Sequence, residues 1–244
     1  MEKHYNAPVS NAHTGLSLKL SKRLKQIEQL VAPGYTHIWD CCCDHGLLGA
    51  ALLSGKVARQ IHFVDIVPEL IAGLENRLQR FYPDSAAHWK THCLDVARLP
   101  LEQYEGKQLI IIAGVGGDLI QQFIEAIDRQ HSHLNVDFLL CPVHHQFALR
   151  QQLIELNFSL KDEILIEENQ RFYEVILVSS QTAGNAPVSP VGSKIWQAVS
   201  AEQSLVVEKY LDKTLSHYRR IQQGNTTDVK HIIAAYQNVA STLC

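Results

Sequence analysis

Short apolar or β-branched runs alternate with amphipathic stretches from residue 36 to residue 180. The run 109–113 (LIIIA) is apolar throughout, which is typical of a strand that helices cover on both faces. The stretches between the runs carry apolar residues every three or four positions, which predicts helices. Strands that alternate with helices form βαβ units and a parallel sheet. The predicted strands are 36–41, 60–66, 87–93, 108–113 and 137–142, and the predicted helices are 46–54, 68–81, 118–130 and 145–156.

The pattern changes after residue 156. Two strand-like runs, 158–167 and 171–179, are separated by three residues, too few for a crossover helix, so they predict an antiparallel hairpin. An open parallel sheet that ends in an antiparallel hairpin resembles the layout of class I methyltransferases, whereas dehydrogenase-type Rossmann domains usually lack that hairpin. We therefore predict an α/β, Rossmann-like fold with a mostly parallel seven-stranded sheet.

Helical periodicity dominates the two ends of the chain. A helix over about 16–31 has an apolar face and a basic face, and a Gly- and Pro-containing linker over 181–192 precedes two helical patterns. These patterns predict a coiled-coil-like helical hairpin, with Gly224 closing its first helix. The predicted domains are 1–182, which includes the basic helix, and 190–244.

Composition excludes several classes. The net charge is −3, so the chain is not basic overall and any nucleic-acid site must be a local basic patch. The six cysteines form no recognisable disulfide framework, which favours a reducing compartment. Residues 1–11 lack the apolar core of a signal peptide, and no apolar run approaches the roughly 18 residues of a membrane span. We expect a cytoplasmic protein with no membrane partner.

The most informative motif is the turn after the first predicted strand, residues 40–46 (DCCCDHG). Ligands of doubly wound sheets bind at the carboxyl ends of the strands, where the strand order reverses. The turn has no GxGxxG motif, which argues against a pyrophosphate and favours a cofactor without phosphate such as S-adenosylmethionine.

Two further turns add to this interpretation. Asp65 ends the second strand, where a carboxylate can accept hydrogen bonds from a ribose diol. Asp95 follows the third strand and either contacts the adenine or caps the next helix. The turn 114–117 (GVGG) indicates either unusual backbone angles with a ligand against the main chain, or a tight helix entry.

The cysteines and histidines also raise two alternatives. Cysteines 41–43 with His45, or the pair His144 and His145, suggest zinc, but tetrahedral sites favour ligands about two to four residues apart and adjacent side chains diverge. A cysteine nucleophile has no recognisable partner base in the sequence. We therefore predict neither a metal site nor a cysteine nucleophile, and expect Cys41, Cys93 and Cys141 to be small buried apolar residues.

In order and spacing, residues 20–24 (LSKRL), 39–48 (WDCCCDHGLL) and 112–120 (IAGVGGDLI) resemble the bacterial tRNA (adenine-22-N1)-methyltransferase family. Residues 149–150 and 172–175 fit it as well. The resemblance implies S-adenosylmethionine as cofactor and methylation of N1 of an adenine in tRNA. This chain departs from the family at two places. Cys42 replaces the family's glycine in the first turn, and residues 141–143 (CPV) replace the Gln-Pro-Asn that the family has after the fifth strand. The implied cofactor-binding residues, with their neighbours in the same turns, are Asp40, Cys42, Asp44, His45, Gly46, Asp65, Ile66, Asp95, Ala113, Gly114, Gly116 and Gly117.

For the implied reaction, Asp44 and His45 are the candidate catalytic pair, because either could accept the proton that the exocyclic amine of the adenine loses. The unstacked adenine would need an aromatic face, for which Trp89, His144, His145 and Phe147 are candidates. The candidate contacts to tRNA phosphates are Lys19, Lys22, Arg23, Lys25, Arg150, Lys209, Lys213, Arg219 and Arg220.

Two alternatives to the tRNA enzyme stay open. A methyltransferase for another RNA or a small molecule is favoured by the acidic net charge and by the absence of Gln-Pro-Asn. A catalytically silent RNA-binding protein is suggested by Cys42. The sequence leaves the oligomeric state open, with a monomer as one possibility.

Overall fold

The computed structural model describes residues 19–181, 186–224 and 227–243. Eight strands form one sheet in the order β3-β2-β1-β4-β5-β7-β6-β8. The first five strands are parallel, whereas β7 runs antiparallel to both β5 and β6. The strands are β1 Tyr35–Cys41, β2 Ala58–Asp65, β3 Trp89–Cys93, β4 Gln108–Ala113, β5 Val136–Cys141, β6 Ser159–Glu168, β7 Arg171–Ser179 and β8 Ala186–Pro187.

Helices cover both faces of this sheet, and apolar clusters lie on each side of it. The predicted alternation is therefore confirmed, with most element boundaries within two residues of their predicted positions. The helices are α1 Lys22–Leu30, α2 Leu47–Ser54, α3 Pro68–Phe81, α4 Gly117–His131, α5 Gln146–Glu155, α6 Ala201–Gln223 and α7 Lys230–Leu243.

Local sequence explains several helix ends. Ser21 caps the start of α1 and Ser200 caps the start of α6, and each hydroxyl accepts a hydrogen bond from the backbone N–H three residues later. Pro68 starts α3, where its fixed φ suits the first helical turn. Gly224 ends α6, as predicted. No helix of the described ranges is long and apolar enough to cross a membrane.

Several sequence expectations need correction. Cys93, expected to be buried, is exposed at the end of β3, which is an edge strand of the sheet. The sheet has an eighth, two-residue strand, because β8 pairs with β6 beyond the predicted hairpin. The predicted linker 181–192 is also partly core, since Val188 and Val191 are buried, whereas residues 182–185 lie outside the described structure. Of the predicted first helix, residues 16–18 lie outside it too, and α1 begins only at Lys22.

A third apolar cluster joins the helical hairpin α6–α7 to the sheet. Trp196, Tyr210 and Tyr236 lie at its centre beside Leu165 of β6 and Phe147 of α5. The hairpin therefore packs directly on the elements that end the sheet. The domain boundary proposed from the sequence stays a prediction.

Candidate cofactor site

The order of strands reverses between β1 and β4, and a cleft opens at the carboxyl ends of these two strands. It brings together six of the residues predicted to bind a cofactor: Asp40, Cys42, Asp44, His45, Ala113 and Gly114. The other cleft residues are Arg23, Leu24, Cys41, Cys43, Leu47, Leu48 and Val115.

The cysteine turn has an unusual backbone. Cys42, Asp44 and Gly46 have φ angles of 55°, 49° and 67°. Non-glycine residues visit this left-handed region at a cost, which explains why glycine suits position 42 in the resembling family. A hydrogen bond from Cys43 N to Val64 O, at 3.1 Å, fastens the turn to β2.

The cysteine thiols are poorly suited to chemistry. Burial, reinforced by the carboxylates of Asp65 and Asp40, raises the pKa of Cys42 to about 12. Burial also raises the pKa values of Cys41 and Cys43. A thiol acts as nucleophile or metal ligand in its thiolate form, so these three groups are unreactive near neutral pH.

Asp40 is the buried acid of the cleft. It is 4% exposed, and its Oδ2 accepts a hydrogen bond from Gly49 N of α2 at 2.8 Å. A Cβ atom on Gly49 would lie 2.3 Å from Phe63 Cε1 and 2.8 Å from this oxygen, so the contact requires glycine. Burial raises the pKa of Asp40 to about 7, with a smaller contribution from Asp65 and an opposing one from the Gly49 N–H.

Asp65, at the end of β2, hydrogen-bonds to the cysteine turn. Its Oδ2 accepts from Asp44 N and its Oδ1 from Val67 N, both at 3.1 Å. Each carboxylate oxygen can accept a further bond, so a role toward a ribose diol stays compatible with these contacts. The structure adds a second role, because Asp65 holds the cysteine turn in place.

Beyond Asp65 the surface is open. Ile66 is 65% exposed and offers an apolar face beside the ends of β2 and β3. Asp95 accepts a hydrogen bond from Ala97 N at 2.9 Å, so it caps the short 3₁₀ turn that follows. The cap leaves its second carboxylate oxygen for other contacts.

The three glycines of the second turn have different roles. Gly114 has φ +87° and lines the cleft, where a Cβ would meet only Arg23 Nη2, at 4.0 Å. A Cβ on Gly116 would lie 2.3 Å from His144 Cε1, and one on Gly117 would lie 2.8 Å from the carbonyl oxygens of His144 and His145. Gly116 and Gly117 therefore face the turn between β5 and α5 and do not line the cleft, and their contact with the cofactor stays a prediction.

Arg23 is a cleft residue that the sequence assigned to RNA. Its guanidinium lies 4.8 Å from the ring centre of Tyr173, and its Nε is buried without a hydrogen-bond partner in the part of the chain that the structure describes. The side chain lines the cleft, and its contact with a tRNA phosphate stays a prediction. Arg23 lies three residues after Leu20 and four before Ile27, so it shares the apolar face of the helix. This spacing could have predicted from the sequence that Arg23 points toward the protein rather than toward solvent.

Comparison with known proteins identifies the family. Residues 20–176 match the profile of a methyltransferase domain. This chain belongs to the methyltransferase domain family. The tRNA (adenine(22)-N(1))-methyltransferase of Bacillus subtilis (strain 168) is 25% identical to it over 219 residues, which cover 86% of this chain and 89% of that enzyme. The resemblance inferred from the motifs is thereby confirmed.

Solved structures have the same fold. The TrmK protein of M. capricolum, in complex with S-adenosyl-homocysteine, has a TM-score of 0.67 at 20% identity, covering 92% of this chain and 97% of that one. Sp1610 of Streptococcus pneumoniae, with S-adenosyl-L-methionine, has a TM-score of 0.68 at 19% identity, covering 90% and 99%. These similarities confirm the predicted Rossmann-like methyltransferase fold.

The remaining basic residues predicted to bind RNA divide between two surfaces of the methyltransferase. Lys22 and Lys25 are exposed on α1, and Lys19 is exposed just before it. On α6, Lys209 Nζ lies 3.8 Å from Glu167 Oε2, and Lys213 Nζ donates to Gln170 O at 3.1 Å. Arg219 and Arg220, further along α6, are exposed.

Arg150 cannot contact RNA, and that prediction is wrong. Its side chain is completely buried, and it donates hydrogen bonds of 2.7 Å to both Glu163 and Glu174. A third bond, at 3.2 Å, reaches Ser189 O in the segment before the helical hairpin. Tyr210 of α6 also donates to Glu174, so the network joins the sheet to the hairpin.

The predicted catalytic pair lies at the rim of the cleft. His45 Nδ1 is 3.6 Å from Asp44 Oδ1, and both side chains are about two-thirds exposed. Of the proposed stacking residues, Trp89 and Phe147 are buried and cannot receive a base. His144 and His145 are exposed.

Proposed function

We propose that this methyltransferase transfers the methyl group of S-adenosylmethionine to N1 of adenine-22 in tRNA. The observation that carries the proposal is the match to the Bacillus subtilis enzyme over most of both chains. The cleft at the strand-order reversal supports it, because this is where the fold places a ligand. We propose a cytoplasmic location, where tRNA is found.

The cleft residues fit the charged end of this cofactor, which carries a carboxylate, an ammonium and a sulfonium. Arg23 offers a buried Nε–H without a partner among the described residues, and a carboxylate would satisfy it. Asp40 and Asp44 offer carboxylates to the ammonium. The two signs of charge in the cleft therefore match the two signs on the amino-acid end of the cofactor.

The adenosine half would extend past Asp65 toward Ile66 and Asp95. Asp65 would accept hydrogen bonds from the ribose hydroxyls, and the exposed Ile66 side chain would cover one face of the adenine. Gly46 could contact the cofactor only through its backbone, because a Cβ there would lie 2.6 Å from Leu74 Cδ1 and so would face the core. This assignment keeps the predicted cofactor residues except Gly116 and Gly117.

The bound cofactor would supply an electrophilic methyl group on its sulfonium. Transfer to N1 would leave positive charge on the adenine, which residues of this chain would have to stabilise. Residues that fix the geometry of this in-line transfer provide most of the acceleration. Asp44 and His45 would stabilise the charge or accept the amine proton, since both line the cleft and remain accessible.

For tRNA phosphates we propose two surfaces, Lys19, Lys22 and Lys25 at α1 and Arg219 with Arg220 on α6. Their side chains are exposed and lack acidic partners among the ion pairs of the described residues, whereas Lys209 contacts Glu167. Replacing any one of these basic side chains with alanine should weaken tRNA binding and make it less dependent on salt concentration.

The decisive experiment is methylation of a tRNA transcript by the purified protein with labelled S-adenosylmethionine. We expect 1-methyladenosine at position 22, and no product from a transcript carrying guanine there. Nucleosides from cells with and without the gene should show the same difference. Unchanged 1-methyladenosine would refute the tRNA assignment.

Calorimetric titration with S-adenosylmethionine separates the alternatives. Cofactor binding without tRNA methylation would favour a methyltransferase for another substrate. No binding at millimolar cofactor would favour a catalytically silent protein.

A further inference from the structure

Three side chains with metal-binding atoms converge outside the cofactor cleft. Asp118 lies in the first turn of α4, and His144 and His145 lie between β5 and α5. One ligand atom from each side chain lies within 4.8 Å of the other two, and the described residues contain no other such group of histidine, cysteine or acidic side chains. His145 Nδ1 is 2.7 Å from each carboxylate oxygen of Asp118.

Adjacent histidines usually point apart, but here the backbone brings them together. His145 has φ 61° and ψ 37°, the left-handed conformation, which reverses the chain direction at the start of α5. The two imidazole rings are consequently only 4.3 Å apart between centroids. A non-glycine residue in this region costs about 1–3 kcal/mol, so the surrounding contacts must hold it.

The glycine turn provides those contacts. Gly117 N donates to His144 O at 2.9 Å, and Val143 N donates to Val115 O at 3.0 Å. Gly116 leaves the space that the His144 ring occupies, because a Cβ there would lie 2.3 Å from Cε1 of the ring. The two turns therefore fix the positions of both histidines.

We propose that Asp118, His144 and His145 bind a divalent transition metal ion, such as Zn²⁺ or Co²⁺. Two donor atoms on one such ion at about 2.0–2.2 Å lie roughly 3 Å apart, close to the separation of His145 Nδ1 and the Asp118 carboxylate. Two imidazoles and one carboxylate suit these ions better than Mg²⁺ or Ca²⁺, which prefer oxygen ligands. All three side chains are exposed, so water or a substrate oxygen can complete the coordination.

Other candidate ligands are less suitable. Cysteines 41–43 are held as thiols by burial. His37, His62 and His92 are partly or fully buried, and their ring nitrogens hydrogen-bond to one another. The exposed group is thus the set whose ligand atoms solvent can reach.

The test is titration of the full chain, stripped of metal with a chelator, with ZnCl₂ in a calorimeter. We expect one ion per chain with a micromolar or lower Kd, and an affinity at least tenfold lower in His145→Asn, Asp118→Asn and His144→Gln. CoCl₂ should give a visible absorption band that these variants lose. Asparagine tolerates the left-handed backbone, so His145→Asn should remain folded, which a melting curve checks.

Matched controls are His133→Asn and Cys93→Ser. His133 is an exposed histidine 3.5 Å from Glu102, and Cys93 is an exposed thiol, so these substitutions should leave Zn²⁺ affinity unchanged. A Kd in the millimolar range would overturn the proposal. The proposal would also be overturned if His145→Asn and Asp118→Asn bound Zn²⁺ as tightly as the wild type, or if Cys93→Ser lost Zn²⁺ binding. Because the readout is metal binding alone, the result is independent of the tRNA substrate.

Discussion

Two groups of histidines in this protein have similar contact distances but opposite surroundings. In the buried chain, defined as His37, His62 and His92, ring nitrogens of neighbouring histidines lie 3.0 and 2.9 Å apart, across strands β1 to β3. In the exposed pair, His144 and His145, His145 Nδ1 lies 2.7 Å from an Asp118 carboxylate.

The difference is one of burial. The Trp39 ring stacks on His62 at 3.8 Å between centroids, and His62 is fully buried. Burial, with the neighbouring histidines and Lys90, lowers the pKa of His62 to about 2, and burial with Lys90 lowers that of His92 to about 4. The buried chain is therefore neutral and structural, whereas solvent and ligands can reach the exposed pair. A short contact between polar side chains does not by itself indicate a functional site.

The sharpest test of this comparison is His62→Ala. The substitution leaves ring nitrogens of His37 and His92 without their partner and opens a cavity beside Trp39. We expect a loss of about 3 kcal/mol in the free energy of unfolding, measured by urea denaturation. The exposed counterpart His145→Asn should change it by less than about 0.5 kcal/mol. Equal losses would contradict the distinction.

Asp40→Asn extends the comparison to a buried group inside a binding site. The folded-state pKa of about 7 exceeds the ordinary 3.8, so the folded protein binds the extra proton and wild-type stability falls as pH rises from about 4 through 7. The variant should therefore be about 4 kcal/mol more stable than wild type at pH 8 and lose this advantage below pH 4.

The same variant should bind S-adenosylmethionine at least tenfold more weakly at pH 8, because the neutral amide cannot pair with the ammonium. Calorimetry and urea denaturation of one protein preparation measure both effects. A more stable variant with unchanged cofactor affinity would remove Asp40 from the proposed site.

The pH dependence of the buried histidines has the opposite sign. Their folded-state pKa values lie below 6.5, so the unfolded chain binds more protons and stability falls as pH drops from about 6.5 toward 4. His62→Phe keeps a ring against Trp39 and removes this titration. Relative to wild type, the variant should gain about 1–2 kcal/mol between pH 7 and pH 4.5. A constant difference would show that His62 is not the titrating group.

Arg23 and Lys22 are adjacent in the sequence but lie on different surfaces, because Arg23 lines the cleft and Lys22 is exposed on the proposed RNA surface. Arg23→Ala should raise the Kd for S-adenosylmethionine about tenfold, which is about 1.4 kcal/mol. Lys22→Ala should leave that Kd unchanged and instead raise KM for tRNA at low salt, since Lys22 is exposed. Equal effects of the two substitutions on cofactor affinity would contradict the inward orientation of Arg23.

Cys42→Gly should give the smallest effect. Glycine relieves a positive φ angle at a cost in chain entropy, and the two nearly cancel at about 1 kcal/mol each. Removing the side chain from the cleft should improve cofactor affinity about two- to threefold, measured by calorimetry. Cys43→Ala, also in the cleft, serves as the control. Weaker binding in Cys42→Gly would show that the thiol contacts the cofactor.

The sequence alone determined the order of the elements and the mostly parallel sheet that ends in an antiparallel hairpin. The apolar pattern is a local property, and the length and β-branched content of a run such as 109–113 indicate a buried strand without knowledge of the rest of the fold. The motifs at the ends of β1, β2 and β4 also located the cleft, because parallel strands end at one edge.

The tertiary structure decided which polar residues are buried in the core and which stay accessible. Arg150 and Arg23 are both basic residues in helices, yet one is buried between two glutamates and the other faces the cleft. The carboxylates and the tyrosine ring that surround them come from β6 and β7, distant in sequence. Only the folded chain brings these groups together, and the dielectric environment that it creates determines which of them remain charged and accessible.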